Sequence, residues 1–84
     1  MEKNMEQKEY KSNDFYHAVI LKTVGFSLLR LEKGNGKFLV FVFADPDSQA
    51  QATIQKYWNR QIQVDARDII ENINELKTRI HSGV

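Results

Sequence analysis

The sequence predicts an α+β domain, in which a small, mostly antiparallel sheet packs with three helices in the order α-β-β-α-β-α. Two runs of strand-favouring residues within positions 26–44 are joined by a Gly-Asn-Gly turn signal. Three other segments carry apolar residues at helical spacing. A short alternation of polar and apolar residues at 60–64 supplies the third strand, and pairing beside residues 38–43 would make that apolar run central.

The hairpin is predicted to turn at Gly34-Asn35-Gly36, because tight primed turns need positive φ at their central residues. Two registers with two-residue loops remain open, and they pair Glu32 with Lys37 or Leu31 with Val40. A three-residue loop with a bulge is a third alternative. We favour the loop over Gly34 and Asn35, because it sets oppositely charged side chains across from each other.

Capping signals bound the first two predicted helices. The first runs over residues 14–24, and Gly25 follows it as a left-handed C-terminal cap. The second begins after Asp45-Pro46-Asp47-Ser48, where Pro46 suits a first helical turn and the two aspartates act as capping residues. It ends near Asn59, which is predicted to adopt the left-handed conformation.

Length and composition predict one soluble domain. The 84 residues carry a net charge of +1 and no cysteine, so disulfides, thiolate metal sites and a cysteine nucleophile are excluded. The near-neutral balance argues against a dedicated non-specific DNA-binding protein. We expect residues 1–11 to form a flexible N-terminal tail and residues 12–84 to form the domain. With no signal peptide or membrane span predicted, we expect a cytoplasmic protein.

A set of short motifs spans most of the chain: Tyr10-Lys11-Ser12-Asn13-Asp14, Gly25-Phe26, Phe41-Val42-Phe43-Ala44-Asp45, Tyr57-Trp58-Asn59 and Val64-Asp65-Ala66-Arg67. Together they resemble a small bacterial and phage domain family of unknown function that is common on mobile elements. The resemblance covers Tyr10 to Ile80, and it implies a compact α+β domain in a phage or prophage setting. It supplies no catalytic residue. Arg60-Gln61 departs from the family pattern, which usually has a small residue there.

No enzyme or cofactor site is predicted. His17 and His81 are the two histidines, and neither has a second ligand one helical turn away, so we predict neither a metal site nor a cofactor. Walker loops, dinucleotide fingerprints and zinc-protease motifs are absent from the sequence. With no convergent acid, base or nucleophile, we expect a protein that is not an enzyme.

The candidate binding residues fall into two groups. Aromatic and polar side chains that are common in protein hot spots and in base stacking lie together at Tyr57, Trp58, Asn59 and Arg60. The alternative is that Tyr57 and Trp58 complete the core face of the second helix. Basic side chains that could form one patch beside the hairpin are Arg30, Lys33 and Lys37, with Lys22 nearby. The alternative is that these are scattered, solvated charges.

The last helix is predicted to begin at Asp65 and to stop at Gly83. It carries a seam of apolar residues with coiled-coil spacing that could form an oligomer interface: Ile69, Ile73, Leu76 and Ile80. The alternative is that these residues, with Ala66 and Ile70, are intramolecular core.

Three functions follow from these residues, in order of preference. The first is a non-enzymatic binding protein and homo-oligomer. The resemblance to phage domains of a bacterial host implies its sharper form, an inhibitor of a host defence protein or a protein that sequesters a small anionic signal. The second is a nucleic-acid-binding accessory protein, and the third is an enzyme.

Overall fold

The computed structural model describes residues 8–34 and 39–82. Six elements follow one another along the chain: β1 (Glu9–Ser12), α1 (Phe15–Val24), β2 (Leu28–Lys33), β3 (Leu39–Ala44), α2 (Ala50–Trp58) and α3 (Ala66–His81). The strands form one sheet in the order β1-β3-β2, and both pairings are antiparallel. The predicted α+β class, with three helices and a three-stranded sheet, is therefore confirmed.

The third strand lies elsewhere in the chain than predicted. Residues 60–64 belong to no strand, and Glu9–Ser12 occupies the second side of β3 instead. In β1, Tyr10 packs against the core and Ser12 is buried, whereas Lys11 points to the other face. The predicted tail is thus wrong for residues 9–11, because this strand uses charged side chains on its outward face. Residues 1–7 lie outside the described residues.

From Arg30 to Lys33 the hairpin register differs from both two-residue alternatives, whereas the pairing of Leu28 is the one that a loop over Asn35 and Gly36 would give. Leu31 lies opposite Phe41 and Leu28 opposite Phe43, with an irregularity in the pairing between Leu28 and Arg30. Two residues three apart in a regular strand face opposite sides, so this bulge is what lets both leucines reach the core. Packing two leucines outweighs the favoured Glu32–Lys37 ion pair, because such surface pairs contribute less than about 1 kcal/mol. The turn residues 35–38 lie outside the part of the chain that is described.

The core lies on one face of the sheet, where α1 is the central helix. α1 contacts α2 on one side and α3 on the other. Four consecutive residues of α1, Ala18 to Leu21, are accordingly buried. The core cluster draws on all three helices and on β3: Ala18, Val19, Leu21, Phe41, Phe43, Ala50, Ile54 and Leu76.

The apolar seam of α3 faces this core. Leu76 is fully buried, and Ile69, Ile73 and Ile80 are partly buried and pack against the core cluster. For these four residues the structure therefore favours the intramolecular alternative, whereas Ala66 and Ile70 are exposed. A homo-oligomer stays a prediction, and it needs another surface.

Local capping sets the starts of α1 and α3 where the sequence predicts them, whereas α2 begins at Ala50, so the prediction that Pro46 lies in its first turn is wrong. Asp14 accepts a hydrogen bond from the His17 amide at 3.0 Å, and Asp65 accepts one from the Arg67 amide at 2.8 Å. Buried Asp45 accepts from the Gln49 and Ala50 amides at 2.7 and 3.2 Å, so it satisfies the first turn of α2. Asp47 is exposed, and its carboxylate caps no described helix.

Candidate functional site

An aromatic surface lies where the C-terminal end of α2 meets the first turn of α1. We define it by five residues: His17, Tyr57, Trp58, Asn59 and Arg60. Trp58 is 62% exposed, Tyr57 is half-buried, and Asn59 and Arg60 are exposed. Three of the four candidate residues of this segment are thus exposed at the end of α2, and the rings of Tyr57 and Trp58 lie against that of His17.

Edge-to-face ring contacts hold the exposed indole in place. The Trp58 ring centroid lies 5.3 Å from that of Tyr57 and 5.6 Å from that of His17, with interplanar angles of 61° and 82°. His17 and Tyr57 complete the triangle at 5.7 Å. Such pairs contribute about 0.5–1.5 kcal/mol each beyond area burial. The side chain is thus ordered by its neighbours although most of it meets solvent.

The prediction that Trp58 completes the core face of α2 is wrong, and for Tyr57 it holds in part. Ala50 and Ile54 are buried on that face. Trp58 follows Ile54 by four residues, which rotates it about 40° around the helix axis. This rotation turns the indole away from the buried face of α2. The indole lies instead against the ring of His17, in the first turn of α1.

His17 is a residue of the candidate site that the sequence did not reveal. Its Nε2 atom is buried and has no hydrogen-bond partner among the described residues. The nearest carboxylate oxygen, Oδ2 of Asp14, is 3.8 Å away. The ring also lines a pocket of about 540 Å³ with Tyr10, Lys11, Ser12, Asn13, Asp14 and Val40. The sequence does contain one indication that the His17 ring faces inward: it lies one helical turn before Leu21, which is buried.

α2 ends with Arg60 in the left-handed conformation. The Gln61 amide donates to the Lys56 carbonyl at 2.8 Å and the Arg60 amide donates to the Tyr57 carbonyl at 3.1 Å, the pattern of a Schellman motif. Arg60 has a φ of 61°, whereas Asn59, predicted to be left-handed, has a φ of −87°. A residue with a Cβ atom loses roughly 1–2 kcal/mol there. The chain keeps arginine at a position that favours glycine.

A second surface covers the sheet face opposite the helices. Its four charged residues, Glu9, Lys11, Arg30 and Glu32, lie over Val42, which is fully buried. Arg30 donates two hydrogen bonds to the Glu9 carboxylate at 3.0 Å each and one to Glu32 at 2.7 Å. Lys11 Nζ lies 3.4 Å from Glu32. Two positive and two negative side chains thus cross the central strand and cancel in charge.

The predicted basic residues are not brought together in the described part of the chain. Arg30 is engaged by two glutamates, and Lys22 pairs with Glu75 at 3.3 Å. Lys33 is exposed at the end of β2. Lys37 lies in the segment that is not described.

The family of the chain follows from a comparison with family models. The model of a domain of unknown function, DUF5659, matches residues 7–82. The chain belongs to the DUF5659 family. This confirms the resemblance to a family of unknown function, and the match extends from before β1 to the end of α3. No curated protein and no solved structure matches the chain.

Two negative findings hold for the described residues of this DUF5659 domain. No group of three or more histidine, aspartate or glutamate side chains among them is placed to hold a metal ion. None of its described helices is long and apolar enough to cross a bilayer.

A second pocket, of about 380 Å³, lies between the end of α1 and the start of α2. Its one buried carboxylate, that of Asp45, caps α2.

Acid is expected to lower the thermal stability of the DUF5659 domain through Glu9 and Glu32, the two carboxylates that bind Arg30. The hydrogen bonds from Arg30 lower the pKa of Glu9 and of Glu32, and those same bonds raise the pKa of Arg30. A carboxylate with a lowered folded-state pKa stabilises the fold above the ordinary glutamate pKa of about 4.3, and this contribution is lost as the pH falls through the lowered pKa. We expect a level melting temperature from about pH 7 to 5 and a decline below about pH 4.

The Arg30→Gln variant is the control for that decline. It removes the donor, so both carboxylates return toward their ordinary pKa and the acid-induced decline becomes shallower. Circular dichroism melts from pH 7 to pH 2 measure the slope for both proteins. Identical slopes would contradict the assignment of the lowered pKa values to Arg30.

Arg60→Gly is expected to stabilise the DUF5659 domain by about 1 kcal/mol, because glycine adopts the left-handed conformation without a steric penalty. Urea unfolding at 25 °C measures the change. Asn59→Gly is the matched control: its position has negative φ, so there glycine is expected to destabilise. A loss of stability in Arg60→Gly would show that the arginine side chain stabilises the fold by its own contacts.

Proposed function

We propose that this DUF5659 domain is a non-enzymatic binding protein that contacts a protein partner through the aromatic surface. The observation that carries the proposal is the Trp58 side chain, which is 62% exposed and yet fixed between two rings. Tryptophan, tyrosine and arginine dominate the residues that cost most binding energy when truncated in interfaces. A pre-ordered aromatic side chain also loses little conformational entropy on binding.

The left-handed Arg60 supports the same surface. It lies two residues after Trp58 and is exposed, and its backbone conformation disfavours every residue except glycine and, to a lesser degree, asparagine or aspartate. Residues held in sparsely populated conformations cluster at functional sites. We infer that the guanidinium group is retained for a contact outside the domain, where its planar donors can bind carboxylate groups of a partner.

The absence of enzyme activity is part of the proposal. Across the described residues, the carboxylates that are buried or ordered already serve the fold: Asp14, Asp45 and Asp65 cap helices, and Glu9 and Glu32 bind Arg30. Asp14 and His17 line one pocket, but Oδ1 of Asp14 caps α1 and its Oδ2 lies 3.8 Å from Nε2 of His17, beyond hydrogen-bond distance, so the two are not arranged as an acid and base pair. Binding through side chains that the fold leaves exposed requires no such pair.

The setting of the proposal comes from the resemblance to phage and mobile-element domains. In that setting, the partner is a protein of the bacterial host, and the sharper form is inhibition of a defence protein in the cytoplasm. Sequestration of a small anionic signal is the less favoured form. Lys11 lines the pocket at His17, but the Asp14 carboxylate lines it too and would repel an anion.

Photo-crosslinking tests the proposal. A photoreactive phenylalanine analogue is placed at Trp58, and in a control protein at Ile70, which is also exposed but lies outside the aromatic surface. After irradiation in bacterial cells, we expect a discrete protein adduct from position 58 and none from position 70. Arg60→Ala should reduce the adduct. Equal adducts from both positions would contradict a specific aromatic surface.

Nucleic acid is the alternative partner, because the same aromatic and arginine side chains can stack on bases. Charge argues against nucleic acid. The two positive and two negative side chains on the outer sheet face cancel each other, and the net charge of the chain is +1. We expect no binding tighter than about micromolar at physiological salt. A tight gel shift that weakens steeply with salt would favour the nucleic-acid alternative over the protein partner.

A further inference from the structure

The segment Gln61–Val64, between α2 and α3, has the character of a strand without a partner. It contains neither a turn nor a bend, and its residues have negative φ. Gln61, Gln63 and Val64 are exposed and Ile62 is half-buried. Among the described residues, the amides and carbonyls of Ile62, Gln63 and Val64 form no hydrogen bond. The sheet of the domain offers them no place beside β3, because β1 occupies that edge.

The directions of its amides follow from the one bond that the segment makes. The Gln61 amide donates back to the Lys56 carbonyl of α2. In a straight chain of this kind, successive amides point to opposite sides and alternate amides share a side. In strand conformation the Ile62 and Val64 amides would therefore point away from α2, and the Gln63 amide would point toward it. Two outward amides and two outward carbonyls form a short open strand edge.

The side chains of this segment are complementary to a second copy. If two copies pair antiparallel with Gln63 on the two-fold axis, Ile62 lies opposite the partner's Val64, and Gln61 lies opposite the partner's Asp65. Directly opposite residues share a face, so the four apolar side chains gather on one side and the polar ones on the other. A shift by one residue would set Ile62 against glutamine or aspartate, and a shift by two would bring together only the two Ile62 or only the two Val64 side chains, so the pattern favours the register with Gln63 on the axis.

We propose that Gln61–Val64 pairs with the same segment of a second copy of this chain, forming a two-stranded antiparallel ribbon across a two-fold axis. Ile62 and Val64 of each copy exchange both backbone hydrogen bonds, which gives four in all, and the two Gln63 residues face each other without backbone bonds. Antiparallel pairing of identical segments is two-fold symmetric by construction. Val64, which is 37% exposed in the single chain, becomes covered.

The contact is short, so the dimer is expected to be weak. We expect a dissociation constant of about 100 μM, since the paired segment is smaller than a standard interface. At that affinity most chains are dimeric at about 1 mM and monomeric at about 10 μM. Light scattering across this range is the first measurement. A monomer at about 1 mM would overturn the proposal.

Amide hydrogen exchange, followed by NMR at both concentrations, locates the contact. The Ile62 and Val64 amides should exchange about fourfold more slowly at the higher concentration, which is the limit that a dissociation constant of about 100 μM allows, and the Gln63 amide should change little. A dimer that leaves the Ile62 and Val64 amides unprotected would overturn the proposal, because it would use another surface.

Two proline variants separate the pairing from side-chain effects. Val64→Pro removes an outward amide, so two of the four hydrogen bonds are lost and the dimer should disappear. Gln63→Pro removes the inward amide and should leave the dimer intact. Val64→Ala keeps the amide and reports the loss of the apolar side chain alone. Circular dichroism verifies that each variant is folded. If both proline variants dimerise equally well, the strand pairing is wrong. This result does not depend on the partner of Trp58, which the crosslinking experiment tests separately.

Discussion

Phe43→Ala is expected to lower the free energy of unfolding by about 3–5 kcal/mol, the largest loss of any single truncation in this domain. Phe43 is fully buried in the central strand, where Tyr10 of β1 and Leu28 of β2 lie directly opposite it. Removing its ring leaves a cavity that sheet and helices cannot both close. Because domains of this size are stable by only about 5–10 kcal/mol, the variant should be partly unfolded at 37 °C.

Urea unfolding at 25 °C, monitored by circular dichroism, measures this change. Ile70→Ala is the matched control, because Ile70 is apolar but 56% exposed and should cost less than about 1 kcal/mol. If the two losses were equal, Phe43 would not be at the centre of the core, and the strand order β1-β3-β2 would need revision.

Gly25→Val is expected to cost about 2–3 kcal/mol, the second large effect. Gly25 has a φ of 124°, where a β-branched residue is strongly disfavoured. It ends α1 with a Schellman motif, in which the Phe26 amide donates to the Leu21 carbonyl at 2.9 Å. Outside Gly25 and its two chain neighbours, no atom lies within 4 Å of the position that a Cβ would take, so the cost comes from backbone conformation and not from a clash with the rest of the fold.

Thermal unfolding of Gly25→Val and Gly25→Asn separates these causes. Asparagine tolerates positive φ better than valine does, so Gly25→Asn should keep more of the stability. A valine variant as stable as the natural protein would mean that the chain leaves α1 in another conformation. The direction of α1 relative to β2 would then change as well.

The helices could be predicted because their ends are determined by local chemistry. Asp14, Gly25 and Asp65 act within a few residues of their own positions, so the sequence around each contains the information needed. The third strand depends on a distant partner instead. Residues 60–64 alternate in polarity, whereas residues 9–12 contain one apolar side chain, so the sequence favours 60–64. The packing of Tyr10 against the core and the burial of Ser12 depend on tertiary contacts, and they place the strand at 9–12.

The candidate site could be predicted in part for the same reason. The cluster at Tyr57 to Arg60 is visible from residue type alone. The exposure of Trp58 depends on where α1 begins relative to the end of α2, which is a tertiary relation. His17 joins the site only through that relation. The left-handed residue was assigned to Asn59 on propensity, whereas the hydrogen bonds that close α2 require it at Arg60.

Trp58 is the only tryptophan of the chain. The tryptophan fluorescence of the chain therefore originates entirely from the aromatic surface. Most of the indole meets water, so its emission should lie toward the red and should shift to the blue when another molecule covers the ring. The domain thus carries its own optical reporter at the surface where we propose that a partner binds. Candidate partners can be screened by titration, without a label and without an assay of activity.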